Sequence, residues 1–233
     1  MIQTIKTWLN ALISVFFPDL CHVCNRTLTE GEAYICAHCL CKLPQTRYHT
    51  RLSNPVEERL RGRFPYRKIT AFLHFEKEGI AQQIIHSIKY KGGETFGVWC
   101  GELMAEELLS SNFFEGIDLI VPVPLHKKKE RKRGYNQAEA IARGVASKCN
   151  LPISTQILQK VRNNTSQTRK GRYERWLNNQ DIFMVKQPEL FVGKHILLID
   201  DVITTGSTLE SCSLCVLNCE NTEISILSLA AAH

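Results

Sequence analysis

The sequence has no apolar run long enough to cross a bilayer. Its longest, 11–17, falls far short of the ~20 residues that a membrane-spanning helix needs. That run is also a poor secretory signal, because a single lysine precedes it and Pro18-Asp19-Leu20 follows where a small-residue cleavage site would stand. No integral membrane association is expected, and a cytoplasmic location is. There is no low-complexity tract and no internal repeat. With 44% hydrophobic and 22% charged residues, the disordered and collagen-like classes are excluded. At ~150 residues per domain, 233 residues make one large domain or a medium one with a small appendage.

Charge is plentiful but uneven. Net charge is +6, yet residues 42–68 carry eight basic and two acidic side chains, while 126–135 and 160–175 each carry six and one. The remainder is net acidic. Each window alone is what a solvated loop looks like; three together point to an anionic, phosphate-bearing partner. Tyr48, Phe64 and Tyr66 interleave with the first window as candidate stacking surfaces for single-stranded nucleic acid.

Ten cysteines in a chain expected to be cytoplasmic are not read as disulfides. Cys21-x-x-Cys24 and Cys36-x-x-Cys39 have the two-knuckle spacing of a four-thiolate zinc site. Gly31 lies between them, where the connection must reverse. A module of this size cannot bury a sufficient core, so metal must supply much of its folding free energy. His22, His38 and Cys41 lie close enough to leave a ligand swap open. Cys212, Cys215 and Cys219 share one face at helical spacing and have no partner knuckle, which suits core packing.

Apolar residues from Ile2 to Phe16 recur at helical spacing, an amphipathic helix ended by Pro18. Residues 44–68, with Pro44, Pro55 and Pro65, read as a linker. Beyond them, strand-like runs (69–75, 119–123, 196–199, 224–229) alternate with helical patterns (80–90, 96–109, 135–148, 207–217), predicting an α/β domain with a largely parallel sheet. The most informative strand end is His195-Ile-Leu-Leu-Ile-Asp200-Asp201-Val-Ile-Thr204-Thr205-Gly206-Ser207-Thr208. Two acids emerge from a buried run, and a loop of hydroxyls and one glycine then opens into a helix. Backbone N–H groups and hydroxyls from Thr204 to Thr208 can surround a phosphate at that helix start, and Gly206 would let backbone approach the ligand closely. The carboxylates suit hydroxyls or a divalent cation instead. No lysine follows the glycine, so this is not a P-loop, and Val202 breaks an aspartate-phosphatase pattern.

IDDVITTGST resembles the ribose-phosphate signature of type I phosphoribosyltransferases, which bind phosphoribosyl pyrophosphate (PRPP). The whole order is similar to the ComF/GntX family of competence-type proteins. It comprises the paired CxxC module, KYKG from Lys89 to Gly92, VPVP from Val121 to Pro124, and RGYNQAE from Arg133 to Glu139. A Gln167…Arg172…Arg175…Asn178 stretch and the acidic loop complete it. The resemblance runs from about Pro18 to the final strand; Lys170 and Tyr135 depart from the usual apolar residue and Phe.

The resemblance implies a type I phosphoribosyltransferase-like parallel sheet flanked by helices, with a small N-terminal zinc-ribbon module. The implied division is a helix over 1–17, the four-cysteine module over 18–43, a basic linker over 44–68, and the α/β domain over 69–233. Asp200 and Asp201 would be the catalytic pair on the ribose hydroxyls, and Thr204, Thr205, Gly206, Ser207 and Thr208 would bind the 5′-phosphate. Leu125, His126 and the flap ending at Arg133 would meet pyrophosphate with Mg²⁺, and Arg172 and Arg175 would close from the other side. Two functions follow. One is an Mg-PRPP-binding protein, transferring a phosphoribosyl group to an unidentified acceptor if it is an enzyme. The other is a non-catalytic factor that binds single-stranded DNA during DNA uptake, alongside other competence proteins.

Overall fold

The computed structural model describes residues 18–90, 92–161 and 182–232. The helix expected over 1–17 and the stretch holding Gln167, Arg172, Arg175 and Asn178 lie outside the described residues.

In chain order the strands are β1 (Ile69–Phe75), β2 (Leu119–Pro122), β3 (Leu158–Lys160), β4 (Phe183–Val185), β5 (His195–Ile203) and β6 (Glu223–Ala232). Four of them form a parallel sheet in the order β1-β6-β5-β2. The central strands are apolar on both faces because helices cover both. The helices are α1 (Ala37–Cys41), α2 (Pro55–Leu60), α3 (Ile80–Lys89), α4 (Gly93–Leu109), α5 (Lys127–Arg133), α6 (Gln137–Cys149) and α7 (Ser207–Leu217). Leu197 and Ile199 of β5 face the core built by α3, α4 and α6, while Ile196 and Leu198 face the core built by α2 and α7. β3 and β4 pair antiparallel as a separate two-stranded sheet, which the alternating pattern did not predict.

Helices α4 and α6 cross at backbone contact. A Cβ on Gly144 would fall inside the carbonyl oxygen of Val98, and one on Gly101 inside that of Ile141. α6 lies on β2 and β5, and α4 packs on α6 and reaches β6. The cysteines of the third CxxC behave as expected of small hydrophobes: Cys212 is fully buried, Cys219 buried and Cys215 half-buried. Among the described residues no helix is long and apolar enough to cross a membrane.

Residues 44–68, expected as a linker, are packed instead. Thr46 N–H donates to the Phe72 carbonyl, and Gln45 bridges to Leu73 at the edge of β1. Asn54 caps α2, its Oδ1 accepting from Val56 and Glu57 N–H at 3.0 Å each, and Pro55 occupies the first turn. Val56, Leu60 and Phe64 recur every four residues and are buried, an apolar stripe obscured by the charges around it. Tyr48 and Phe64, read as stacking surfaces, are 3% and 5% exposed and belong to the core, so they are closed to a nucleic acid.

Candidate functional site

The N-terminal cysteines converge first. The sulfurs of Cys21, Cys24, Cys36 and Cys39 all lie within 4.8 Å of one another, with Cys24 Sγ and Cys36 Sγ 3.7 Å apart. A tetrahedron with metal–sulfur bonds of about 2.3 Å has edges of about 3.8 Å, so the four thiolates fit one ion. Burial would raise the Cys21 thiol, but backbone N–H groups of Cys24, Cys36 and Val23 outweigh it and bring it down to about 6. Burial and the neighbouring cysteines push Cys39 up in the absence of a cation. The swap ligands are engaged elsewhere or exposed. His22 stacks on Phe96 at 4.3 Å, whereas His38 and Cys41 lie at the surface.

The second convergence lies at the carboxyl edge of the sheet. β2 ends at Pro122, opposite Ile199, but β5 continues to Ile203 beside β6. Asp200 and Asp201 therefore sit within β5, not beyond it, on the flank where its neighbour has stopped. A cavity of about 230 Å³ opens there. Asp200, Asp201 and Thr208 line it together with Lys89, Leu125, Arg133, Asn136, Gln137 and Lys160. Burial, and next the charge of Asp201, push the Asp200 carboxyl up to about 8, although the Asp201 N–H donates to its Oδ1 at 2.9 Å. Lys89 Nζ lies 3.5 Å from Asp201 Oδ2. Burial, and then the charge of Lys129, lower Lys160, opposed by Asp200. Two acids thus face three cations across one small space. That set can accept from hydroxyls on one side and hold anionic oxygens on the other.

Val202 to Leu209, with Asp200, line a smaller cup of about 30 Å³. Thr204, Thr205, Ser207 and Thr208 are exposed, and Thr205 Oγ1 lies 3.0 Å from Ser207 Oγ. Gly206, at the N-cap of α7, brings no side chain, and Thr205 Oγ1 reaches the Ser207 N–H only at 3.5 Å, which leaves the other donors of the first turn for a ligand. Gly206 has φ +78°, and a Cβ there would strike Leu60 Cδ2 of α2. The positive backbone angle favours glycine here, and Leu60 of α2 fills the space that a side chain would take.

Beyond β2, Leu125 lines the large cavity, while His126 stands at the start of α5, its Nδ1 accepting from Lys128 N–H at 3.2 Å. Arg133 donates to Gln137 Oε1, Tyr135 hydroxyl to the Ile88 carbonyl, and Asn136 Nδ2 to the Val123 carbonyl at 3.1 Å. The RGYNQ segment therefore braces the ends of β2, α3 and α6 around the cavity. Lys89, Asn136, Gln137 and Lys160 were assigned no role from sequence. The first three stand inside the KYKG and RGYNQ motifs; Lys160 opens the third basic window, but only tertiary folding brings β3 to this edge.

The fold and the acidic strand end with its phosphate-type loop define a phosphoribosyl transferase domain, and the model of that family matches residues 100–233. DNA utilization protein YhgH of Escherichia coli K12 is 24% identical over 206 residues, covering 82% of this chain and 87% of that protein. Competence protein ComFC of Bacillus subtilis is 27% identical over 205 residues, covering 86% and 79%. Competence protein F of Haemophilus influenzae is 31% identical over 116 residues, about half of each chain. The solved glutamine PRPP amidotransferase of B. subtilis aligns with 66% of this chain at TM-score 0.45 and 14% identity. This chain spans about a third of that structure's length. The chain belongs to the phosphoribosyl transferase domain family, and the relatives it resembles along most of its length are DNA utilization and competence proteins.

Proposed function

We propose that the chain binds PRPP, or a closely related phosphorylated ribose, in the cavity at the carboxyl edge of the sheet. The observation that carries this is the juxtaposition, in one cavity, of Asp200 and Asp201 with Lys89, Lys160 and Arg133, adjoining a helix start whose N-cap, Gly206, brings no side chain. In this reading the acids accept hydrogen bonds from the ribose hydroxyls, and Thr204 to Thr208 hold the 5′-phosphate. Leu125 and Arg133 adjoin the pyrophosphate, with His126 ordering the start of the flap. Mg²⁺, when bound with the ligand, would neutralise part of the pyrophosphate charge. If transfer follows, an acceptor nucleophile forms a bond to the anomeric carbon as the bond to pyrophosphate breaks. The ring then gains positive charge beside the paired acids, where preorganised negative charge lowers the barrier.

Charged acceptors make hydrogen bonds worth about 1.5–3 kcal/mol each, and 1.4 kcal/mol is one decade of affinity. Asp200→Asn with Asp201→Asn is therefore expected to weaken Mg-PRPP binding at least ~10-fold. Calorimetry on wild type and the double variant decides: equal affinities, or no binding by wild type with Mg²⁺ present, overturn the reading.

The four cysteines are proposed to hold one structural zinc, since four thiolates close the coordination shell. The named relatives are DNA utilization and competence proteins, and α5 presents six basic residues with none of its side chains buried. We propose a second role for this chain in handling incoming single-stranded DNA in the cytoplasm, alongside other competence proteins.

A further inference from the structure

The first basic window reaches the phosphate-type loop from behind. Arg59, in α2, donates through Nη1 to the Thr204 carbonyl and through Nη2 to the Ala232 carbonyl at 2.6 Å. Arg63, just past α2, donates through Nη1 to the Thr205 carbonyl at 2.9 Å and pairs with Glu210 of α7 at 3.5 Å. Between them, Leu60 occupies the space a side chain at position 206 would need. Three consecutive loop residues are thus held from a segment about 140 residues earlier in the chain.

A trans peptide directs its carbonyl and its N–H to opposite sides. With the carbonyls of Thr204 and Thr205 drawn to guanidinium groups, the N–H groups of Thr205 and Gly206 must face away from α2. We propose that Arg59 and Arg63 are positioning residues for the phosphate subsite. They fix the two peptide planes so that these N–H groups converge on the cup, and they polarise them. A cation on a carbonyl oxygen strengthens the N–H of the same peptide as a donor, because hydrogen bonds in a chain reinforce one another. The loop has no lysine or arginine of its own. It thereby gains positive character without a cation in contact with the ligand. The inference rests on the reading of this loop as the 5′-phosphate subsite.

Calorimetry with ribose 5-phosphate and, separately, inorganic pyrophosphate provides the test. Arg59→Ala with Arg63→Ala is expected to weaken ribose 5-phosphate binding ~10-fold or more and to leave pyrophosphate binding unchanged. Arg59→Lys keeps the charge but supplies a point donor in place of a fork spanning two carbonyls, so it should also weaken ribose 5-phosphate. Arg61→Ala removes an equal charge from an exposed side chain that donates to Ser53 at 3.4 Å and acts on Glu57 of α2, and should change neither affinity. Should the double alanine variant fail to fold, Arg59→Lys against Arg61→Ala decides alone. Equal losses in these two, or none in Arg59→Lys, overturn the assignment. A wild type that binds no ribose 5-phosphate would instead remove the reading of the loop itself.

Discussion

At the scale of single residues, Asp200 is the side chain on which stability and the proposed function pull apart. Burial, and next the charge of Asp201, hold its carboxyl at about 8, with Lys160 opposing and the Cys212 thiol packed behind. The unfolded chain releases that proton near the ordinary carboxylate value of about 4, so between pH 4 and 8 the native state holds the extra proton. Stability from this group is therefore fully present below pH 4 and lost as pH rises through 8. Asp200→Asn should leave the melting temperature nearly unchanged at pH 4 and raise it at pH 8.5. Each kcal/mol of relieved repulsion corresponds to roughly 2–4 °C in a chain of this size. Scanning calorimetry at both pH values checks this; a variant no more stable than wild type at pH 8.5 would contradict it. The cost is expected where a ligand supplies ribose hydroxyls, which need the ionised pair.

At the scale of elements, what was legible in the sequence depended on whether one period explained a segment. β1 (Ile69–Phe75) and α7 (Ser207–Leu217) match their predicted spans because the burial pattern and the turn residues before α7 agree there. β5 runs to Ile203, beyond the apolar stretch, since β6 pairs with it even where Asp200 and Asp201 interrupt the pattern. Residues 44–68 misled because charge and proline dominate their composition, whereas Val56, Leu60 and Phe64 decide their packing. The same packing narrows any nucleic-acid surface. Arg59 and Arg63 are engaged with the loop and Tyr48 and Phe64 are in the core, so the first window offers Lys42, Arg47, Arg51, Arg61 and Arg67 as scattered exposed cations, whereas α5 gathers six basic residues on one short helix. Weak, sequence-independent binding of single-stranded DNA is expected there, falling steeply with salt because phosphate contacts release counterions. Neutralising Lys127, Lys128 and Lys129 together should reduce that binding and flatten its salt dependence. Fluorescence anisotropy with a labelled oligonucleotide at low and moderate salt reads both. No binding at low salt, or an unchanged triple variant, would end the DNA role for α5.

At the scale of the molecule, the cysteine module is continuous with the body rather than appended to it. Cys21, Cys36 and Cys39 share a buried cluster with Phe72, Ile84 and Phe96. His22 stacks on Phe96, Tyr34 lies against Trp99 with centroids 5.8 Å apart, and Ser87 Oγ donates to the His22 carbonyl at 3.2 Å. A knuckle fold depends on its ion, since so few residues cannot supply a core of their own. Losing the ion should therefore release the module and expose the outer face of α4, while the sheet with Asp200 and Asp201 stays folded on its own two cores. Cys24 is the exposed member of the four, so Cys24→Ser should change little apart from coordination. The expected outcome is about one zinc per wild-type chain by elemental analysis and substoichiometric zinc in the variant. With Trp8→Phe and Trp176→Phe in place, Trp99 becomes the sole reporter, and its emission should shift to the red in the variant or on chelation. Mg-PRPP affinity, read in parallel, should survive the loss of metal, because no cysteine of the module lines the cavity. Protein purified without chelator that contains no zinc would refute the assignment. An unmoved Trp99 emission after zinc removal would show that packing on α4, not the ion, holds the module in place.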